Sequence, residues 1–218
     1  MRGAKLVFPG PHLHADDLLD LMQVEPPTLS LGVPTIWLSL IQTYEAHPGR
    51  WKLPEGMRSL VGGSAAPESL IRAFARNGIE LAQGWGMTET SPLATVFNRK
   101  PELVDIGEDE WFRLRALQGV PVPLVEVRIV DDEGRTCPWY GQAVGELQTR
   151  GPYITGSYHG DGHDPEKFSE DGWLRTGDVA AIDSHGFMRI ADRTKDLIKS
   201  GGEWISSVDL ENAIMAHP

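Results

Sequence analysis

Between residues 58 and 90 two short apolar runs each lead directly into a glycine-bearing turn, with one amphipathic helix between them. RSLVG (58–62) runs into Gly63-Ser64-Ala65-Ala66-Pro67, and IELAQ (79–83) runs into GWGMTET (84–90). The spacing predicts a helix between them, with Leu70, Ile71 and Phe74 facing inward and Asn77-Gly78 as its stop. A strand, helix, strand order with glycines at the strand ends is that of a parallel α/β sheet. In such sheets ligands bind at the carboxyl ends of the strands, so both turns are candidate site segments.

Upstream, DDLLDLMQ (16–23) places Leu18, Leu19 and Met22 at helical spacing, with Asp16 as the expected N-cap. TLSLG (28–32) reads as a strand, and Pro34 opens a helix with Trp37, Leu40, Ile41 and Tyr44 on one stripe, Trp37 as core. After about residue 98 the pattern changes. PELVDIGEDEW (101–111) reads as a solvated loop or short helix. Val125, Val127 and Ile129 alternate with Glu126 and Arg128 as a half-buried strand. VGELQTRG (144–151) and the VAAID and FMRIA runs around Ser184-His185-Gly186 continue the β pattern, so a small antiparallel sheet or barrel is expected. A charged segment and a Gly-Gly turn then lead to VDLENAIM at helical spacing. The expected organisation is an α/β subdomain over 1–98, an antiparallel β subdomain over 99–191, and the start of something new over 192–218.

The formal net charge of −11 over 218 residues argues against a nucleic-acid surface, which needs a Lys/Arg excess on one face. Any polyanionic ligand would need local help from backbone N–H groups, a metal ion or placed cations. Cys137 is the single cysteine, so no intrachain disulfide forms, and it reads as a small packing residue or an inert surface thiol. No apolar run is long enough to span a bilayer and the N-terminus lacks a signal-peptide core, so a cytoplasmic protein is expected. His12 and His14 have no evident third metal ligand, and SYHGDGHDPEKF (157–168), with His159 and His163, reads as a solvated turn.

Three segments carry chemistry. Small residues at Gly62 to Pro67 let a flat ring approach the backbone. In GWGMTET an aromatic face lies between two glycines, followed by a hydroxyl and a carboxylate. A base can stack on Trp85 while Glu89 holds a hard cation beside phosphates; taken alone, the segment is equally a surface turn. In GWLRTGD (172–178), Asp178 at a strand start is an acceptor for two ribose hydroxyls, or an ordinary turn residue.

In order, GGSAAP, GWGMTET, GWLRTGD and DRTKDLIKSGGEWIS resemble the core motifs of the adenylate-forming superfamily. The last stretch is similar to fatty acyl-CoA synthetases and to ligases of methylthio-propionate. The resemblance implies part of the parallel α/β subdomain, the small antiparallel β subdomain, and the start of the C-terminal domain. It implies ATP, Mg²⁺ and CoA, and a fatty or alkylthio carboxylic acid as substrate. Gly63, Ser64, Ala65 and Ala66, with Gln83, Gly84, Trp85 and Gly86, would form the adenine pocket; Thr88 would contact phosphate, and Glu89 would be the magnesium ligand. Asp178 and Arg193 would bind ribose. Lys195 would be the interdomain hinge, and Lys199 and Trp204 would lie where the C-terminal domain closes. Thr88, Glu89, Lys195 and Lys199 would serve catalysis. The family's phosphate loop and its C-terminal lysine match nothing in the chain, so the resemblance implies an internal piece with little or no turnover by itself. The alternative is a non-catalytic nucleotide-binding or interaction module of that descent. A homodimer follows by family analogy alone.

Overall fold

The computed structural model describes residues 3–160, 164–193, 198–200, 203–205 and 214, with 193, 198–200 and 203–205 described by backbone alone. Packing divides the chain into two compact units, Met1–Ala82 and Gln83–Pro218.

In the first unit, α1 (Ala15–Val24) buries Leu18, Leu19 and Met22. Asp16 is not its cap. His14 occupies the N-cap position without a side-chain cap bond, and Asp16 lies in the first turn. There its charge still favours the positive end of the helix. β1 (Leu29–Gly32) pairs in parallel with β2 (Arg58–Val61), and α2 (Pro34–Ala46) is the crossover between them. Pro34 starts α2 where the missing N–H costs nothing. Trp37 is 3% exposed and meets Phe74 edge-on at 5.8 Å, as a core residue. α3 (Glu68–Arg76) buries Leu70, Ile71 and Phe74. Its end is a Schellman motif: Gly78 N–H donates to Ala75 O at 3.0 Å and Ile79 N–H to Phe74 O at 3.1 Å. Gly78 supplies the left-handed φ of 75° that this geometry demands.

β3 (Glu80–Trp85) then carries the chain into the second unit. There Gly84 and Trp85 pair antiparallel with β4 (Thr95–Val96). α4 (Glu108–Arg115) has an acidic first turn and arginines in its last, complementing the helix dipole. Thus the acidic 101–111 region is a short 3₁₀ turn followed by a helix start, within the loop or short helix expected there. β5 (Val120–Pro121) pairs with β4. β6 (Glu126–Val130), β7 (Gly145–Arg150), β8 (Leu174–Ile182) and β9 (Met188–Arg193) form a four-stranded antiparallel sheet in that order. Its buried face is built from Val125, Val127, Ile129, Leu147, Ala180, Ile182 and Met188. Backbone pairing also joins β10 (Ile198–Ser200) to β11 (Glu203–Ile205). The helix expected in VDLENAIM falls outside the described residues apart from Ile214.

Gln118 ties β3 to β9. Its Nε2 donates to Gln83 Oε1 at 3.3 Å and its Oε1 accepts the Ile190 N–H at 2.7 Å. Its carbonyl accepts the Thr95 hydroxyl at 2.6 Å. At 6% exposure, water cannot easily replace these partners. We expect Gln118→Ala to strand two buried groups and cost about 2–4 kcal/mol, read as a lower urea midpoint at unchanged slope.

Candidate functional site

The site is assembled within the second unit by a turn and a broken strand. Gln83, Gly84 and Trp85 leave β3 side by side, and the chain then closes a 3₁₀ turn at Thr88–Thr90. Thr90 is fully buried. Its hydroxyl accepts the Met87 N–H at 2.9 Å and lies 2.8 Å from its acceptor, the Pro92 carbonyl. Burying Thr90 turns the two residues before it outward, so Thr88 is exposed and Glu89 half-buried. Gly86 is required by the same closure: a Cβ there would lie 1.9 Å from the Pro92 oxygen.

Asp178 lies within β8, not at its start as expected. Gln148 pairs with Arg175 and Glu146 with Val179, so Thr176, Gly177 and Asp178 stand opposite Leu147 alone. This is a bulge, and bulges re-aim side chains. Gly177 takes a left-handed φ of 73° in it. The Thr176 hydroxyl replaces ladder bonds, donating to Leu147 O at 2.7 Å and accepting the Asp178 N–H at 3.1 Å. The ladder to β9 shifts as well, between Val179 and Ala180.

The re-aimed carboxylate meets the first motif. Trp85 Nε1–H donates to Asp178 Oδ2 at 2.8 Å, joining residues 93 positions apart. The Trp85 ring also leans on the buried face of the antiparallel sheet. Within the GWLRTGD segment, Trp173 is a brace and not a ligand wall. It is 7% exposed, with the guanidinium carbons of Arg128 and Arg150 at 4.4 and 4.5 Å from its ring. Arg128 in turn grips Asp171 through both oxygens, and with Ser169 it holds that carboxyl well below the usual range.

Glu89 is held from outside its own turn. Tyr158 OH donates to Glu89 Oε1 at 2.7 Å, and Thr155 N–H donates to the Glu89 carbonyl at 2.8 Å. Partial burial and then the Glu89 carboxylate push the Tyr158 hydroxyl up to about 12, so it stays a donor at neutral pH.

The remaining expected residues fall as follows. Gln83 is fully buried, and its amide donates to the Ala116 carbonyl while its oxygen receives Gln118. Its side chain is therefore spent on the fold. Gly63, Ser64 and Ala65 are exposed or half-buried and Ala66 buried, all in the first unit. Lys195 lies outside the described residues, as do the side chains of Arg193, Lys199 and Trp204. The Arg193 backbone pairs with Asp178. Burial pushes the Cys137 thiol up, in keeping with an inert residue. Sequence reasoning missed Thr90, Gln118 and Tyr158. Each acts through one hydrogen-bonding group on a distant segment, which no local pattern marks.

Among the described residues no three His, Cys, Asp or Glu side chains cluster as a metal cage. A lone half-buried Glu89 nevertheless suits Mg²⁺, which takes one or two protein carboxylates and completes its shell with phosphates and water. No helix among the described residues is long and apolar enough to cross a membrane.

The sequence profile of the AMP-binding enzyme family matches residues 1–159. A long-chain-fatty-acid–CoA ligase of Thermus thermophilus is 50% identical over 217 residues, covering 99% of this chain and 40% of the relative. A medium-chain-fatty-acid–CoA ligase of Ectopseudomonas oleovorans is 46% identical over 220 residues, covering 100% of this chain and 39% of the relative. Among solved structures, an anthranilate CoA ligase in complex with anthranoyl-AMP superposes with a TM-score of 0.77 at 26% identity, over 97% of this chain and 38% of that one. The chain thus spans about two-fifths of the length of the relatives it matches. With its strand-end turns, its separate antiparallel sheet and its matched motifs, the chain belongs to the AMP-binding enzyme family.

Proposed function

We propose that this chain contributes the nucleotide site of an ATP-dependent acid–CoA ligase acting on a fatty or alkylthio carboxylic acid. The observation that carries the reading is the Trp85–Asp178 hydrogen bond, which gives two motifs far apart in sequence one shared centre. The relatives' names support the acid–CoA ligase chemistry. In that chemistry a carboxylate oxygen attacks the α-phosphorus of ATP, the bond to pyrophosphate breaks, and acyl-AMP forms. The CoA sulfur then attacks the acyl carbonyl and AMP leaves.

The protein's part is positioning and charge placement. Asp178 accepts ribose hydroxyls, with Arg193 as the second contact, while Trp85 lies against the base. The backbone at Gln83, Gly84 and Gly86 admits the flat ring closely. Thr88 donates to phosphate and Glu89 holds the cation. Bound Mg²⁺ would neutralise phosphate charge. By family analogy the protein is cytoplasmic and homodimeric.

The test is calorimetric titration of the 218-residue chain with Mg·ATP, Mg·GTP and AMP, alongside a pyrophosphate-release assay with CoA and a panel of fatty acids. The expected result is saturable adenine-nucleotide binding, at least tenfold weaker GTP binding, and turnover far below the ~1 s⁻¹ of an ordinary enzyme. Equal affinity for ATP and GTP, or no binding at millimolar concentration, would overturn the reading.

A further inference from the structure

The segment after β7, which the sequence presents as a solvated turn, makes two bonds to one residue of the site. Thr155 donates its N–H to the Glu89 carbonyl at 2.8 Å, and Tyr158 donates its hydroxyl to Glu89 Oε1 at 2.7 Å. The Thr155 hydroxyl closes the segment on itself, donating to Ser157 O at 2.8 Å. Tyr158 is 44% exposed, yet its ring rests 6.1 Å from that of Phe168, which is 4% exposed. Phe168 is in turn bridged to Leu174 at the start of β8. Glu89 is therefore fixed at both backbone and carboxylate by one anchored strap.

A glutamate on an exposed turn samples several rotamers, and ordering it on a cation costs that freedom. A donor on one oxygen removes much of the cost beforehand and leaves the second oxygen to face the ion. Carboxylates that ligate metals are commonly held in this way by hydrogen bonds from the surrounding shell. We propose that Tyr158 is a positioning residue for Glu89, its hydroxyl setting one carboxylate oxygen so that the other receives the divalent cation accompanying the nucleotide. The inference rests on the reading of Glu89 as that cation's ligand.

The experiment uses Mn²⁺ as the probe, with uptake by the full 218-residue chain measured by electron paramagnetic resonance in the presence of ATP. Tyr158→Phe keeps the ring against Phe168 and removes only the hydroxyl. It is expected to weaken Mn²⁺ binding about ten- to a hundredfold, with AMP binding in EDTA and the thermal midpoint unchanged. Glu89→Gln is expected to weaken Mn²⁺ at least as much. Parent-like Mn²⁺ affinity in Tyr158→Phe, with Glu89→Gln impaired, overturns the role of Tyr158 alone. An equal loss of metal-free AMP binding in Tyr158→Phe does the same, since it marks a merely structural role. Parent-like affinity in Glu89→Gln, or no Mn²⁺ uptake by the parent chain, overturns the reading of Glu89 and the positioning role with it.

Discussion

Replacing Asp178 with alanine is expected to lower the affinity of the chain for AMP by about a hundred- to a thousandfold. Hydrogen bonds to a charged acceptor contribute about 1.5–3 kcal/mol each. Losing those to a ribose, partly offset by water, comes to about 3–4 kcal/mol, and each 1.4 kcal/mol is about tenfold in affinity. The substitution also removes the acceptor of the Trp85 N–H, which lies 2.8 Å from Asp178 Oδ2 in a half-buried position. The indole edge is then left unpaired and its ring is no longer fixed. Asp178→Asn retains a carbonyl oxygen for the indole and loses the charge, so it should fall between the two, about tenfold weaker than the parent. Calorimetric titration with AMP and with its 2′-deoxy analogue separates the contributions. The parent should discriminate against the deoxy nucleotide and Asp178→Ala should not. An alanine variant within twofold of the parent would remove Asp178 from the site.

The second large effect is on stability. Gly86→Ala is expected to destabilise the second unit by about 3 kcal/mol, the upper part of the range for overpacking, and to weaken nucleotide binding in the same variant. The added methyl would lie 1.9 Å from the Pro92 carbonyl oxygen and 2.8 Å from the Thr90 hydroxyl. The first of these is backbone and cannot rotate away. The turn must open, and opening it breaks the Thr90 bond to Pro92 that turns Thr88 and Glu89 outward. Gly177→Ala is an informative contrast. No atom lies within 4 Å of a Cβ built there, so only its left-handed φ of 73° opposes substitution, a cost of about 1–2 kcal/mol. Thermal and urea midpoints should rank parent, Gly177→Ala, Gly86→Ala. A Gly86→Ala protein as stable as the parent would show that the turn tolerates what the geometry forbids.

These two residues also illustrate how far sequence reading reaches. The motif glycines stand out as places where a ligand can approach the backbone. Gly86, however, is excluded from bearing a side chain by the chain's own Pro92, a contact no local pattern discloses. The helices and strands were legible where periodicity and stop signals agree, as in α3, where Asn77-Gly78 ends the helix in a Schellman geometry. Asp16 misled because a helix can begin without a side-chain cap when its first-turn acids already complement the dipole. Asp178 misled in a different way. Gly177 before it suggests a turn leading into a strand, whereas it marks a bulge within one that starts at Leu174. Tyr158 was passed over because its loop is polar and exposed, and its one decisive contact is with a residue on another segment. Local patterns disclose elements; they do not disclose which donors meet which acceptors across the fold.

The interruption of β8 bears on how such a site can diversify. At Thr176–Asp178 the ladder to β7 is already broken, while Ala180 to Ile182 stay buried beyond it. An exchange of side chain at the carboxylate's position therefore forfeits little cross-strand bonding. Ligand preference and foldedness are thus partly uncoupled along one strand, which leaves selection free to retune the first without gambling the second.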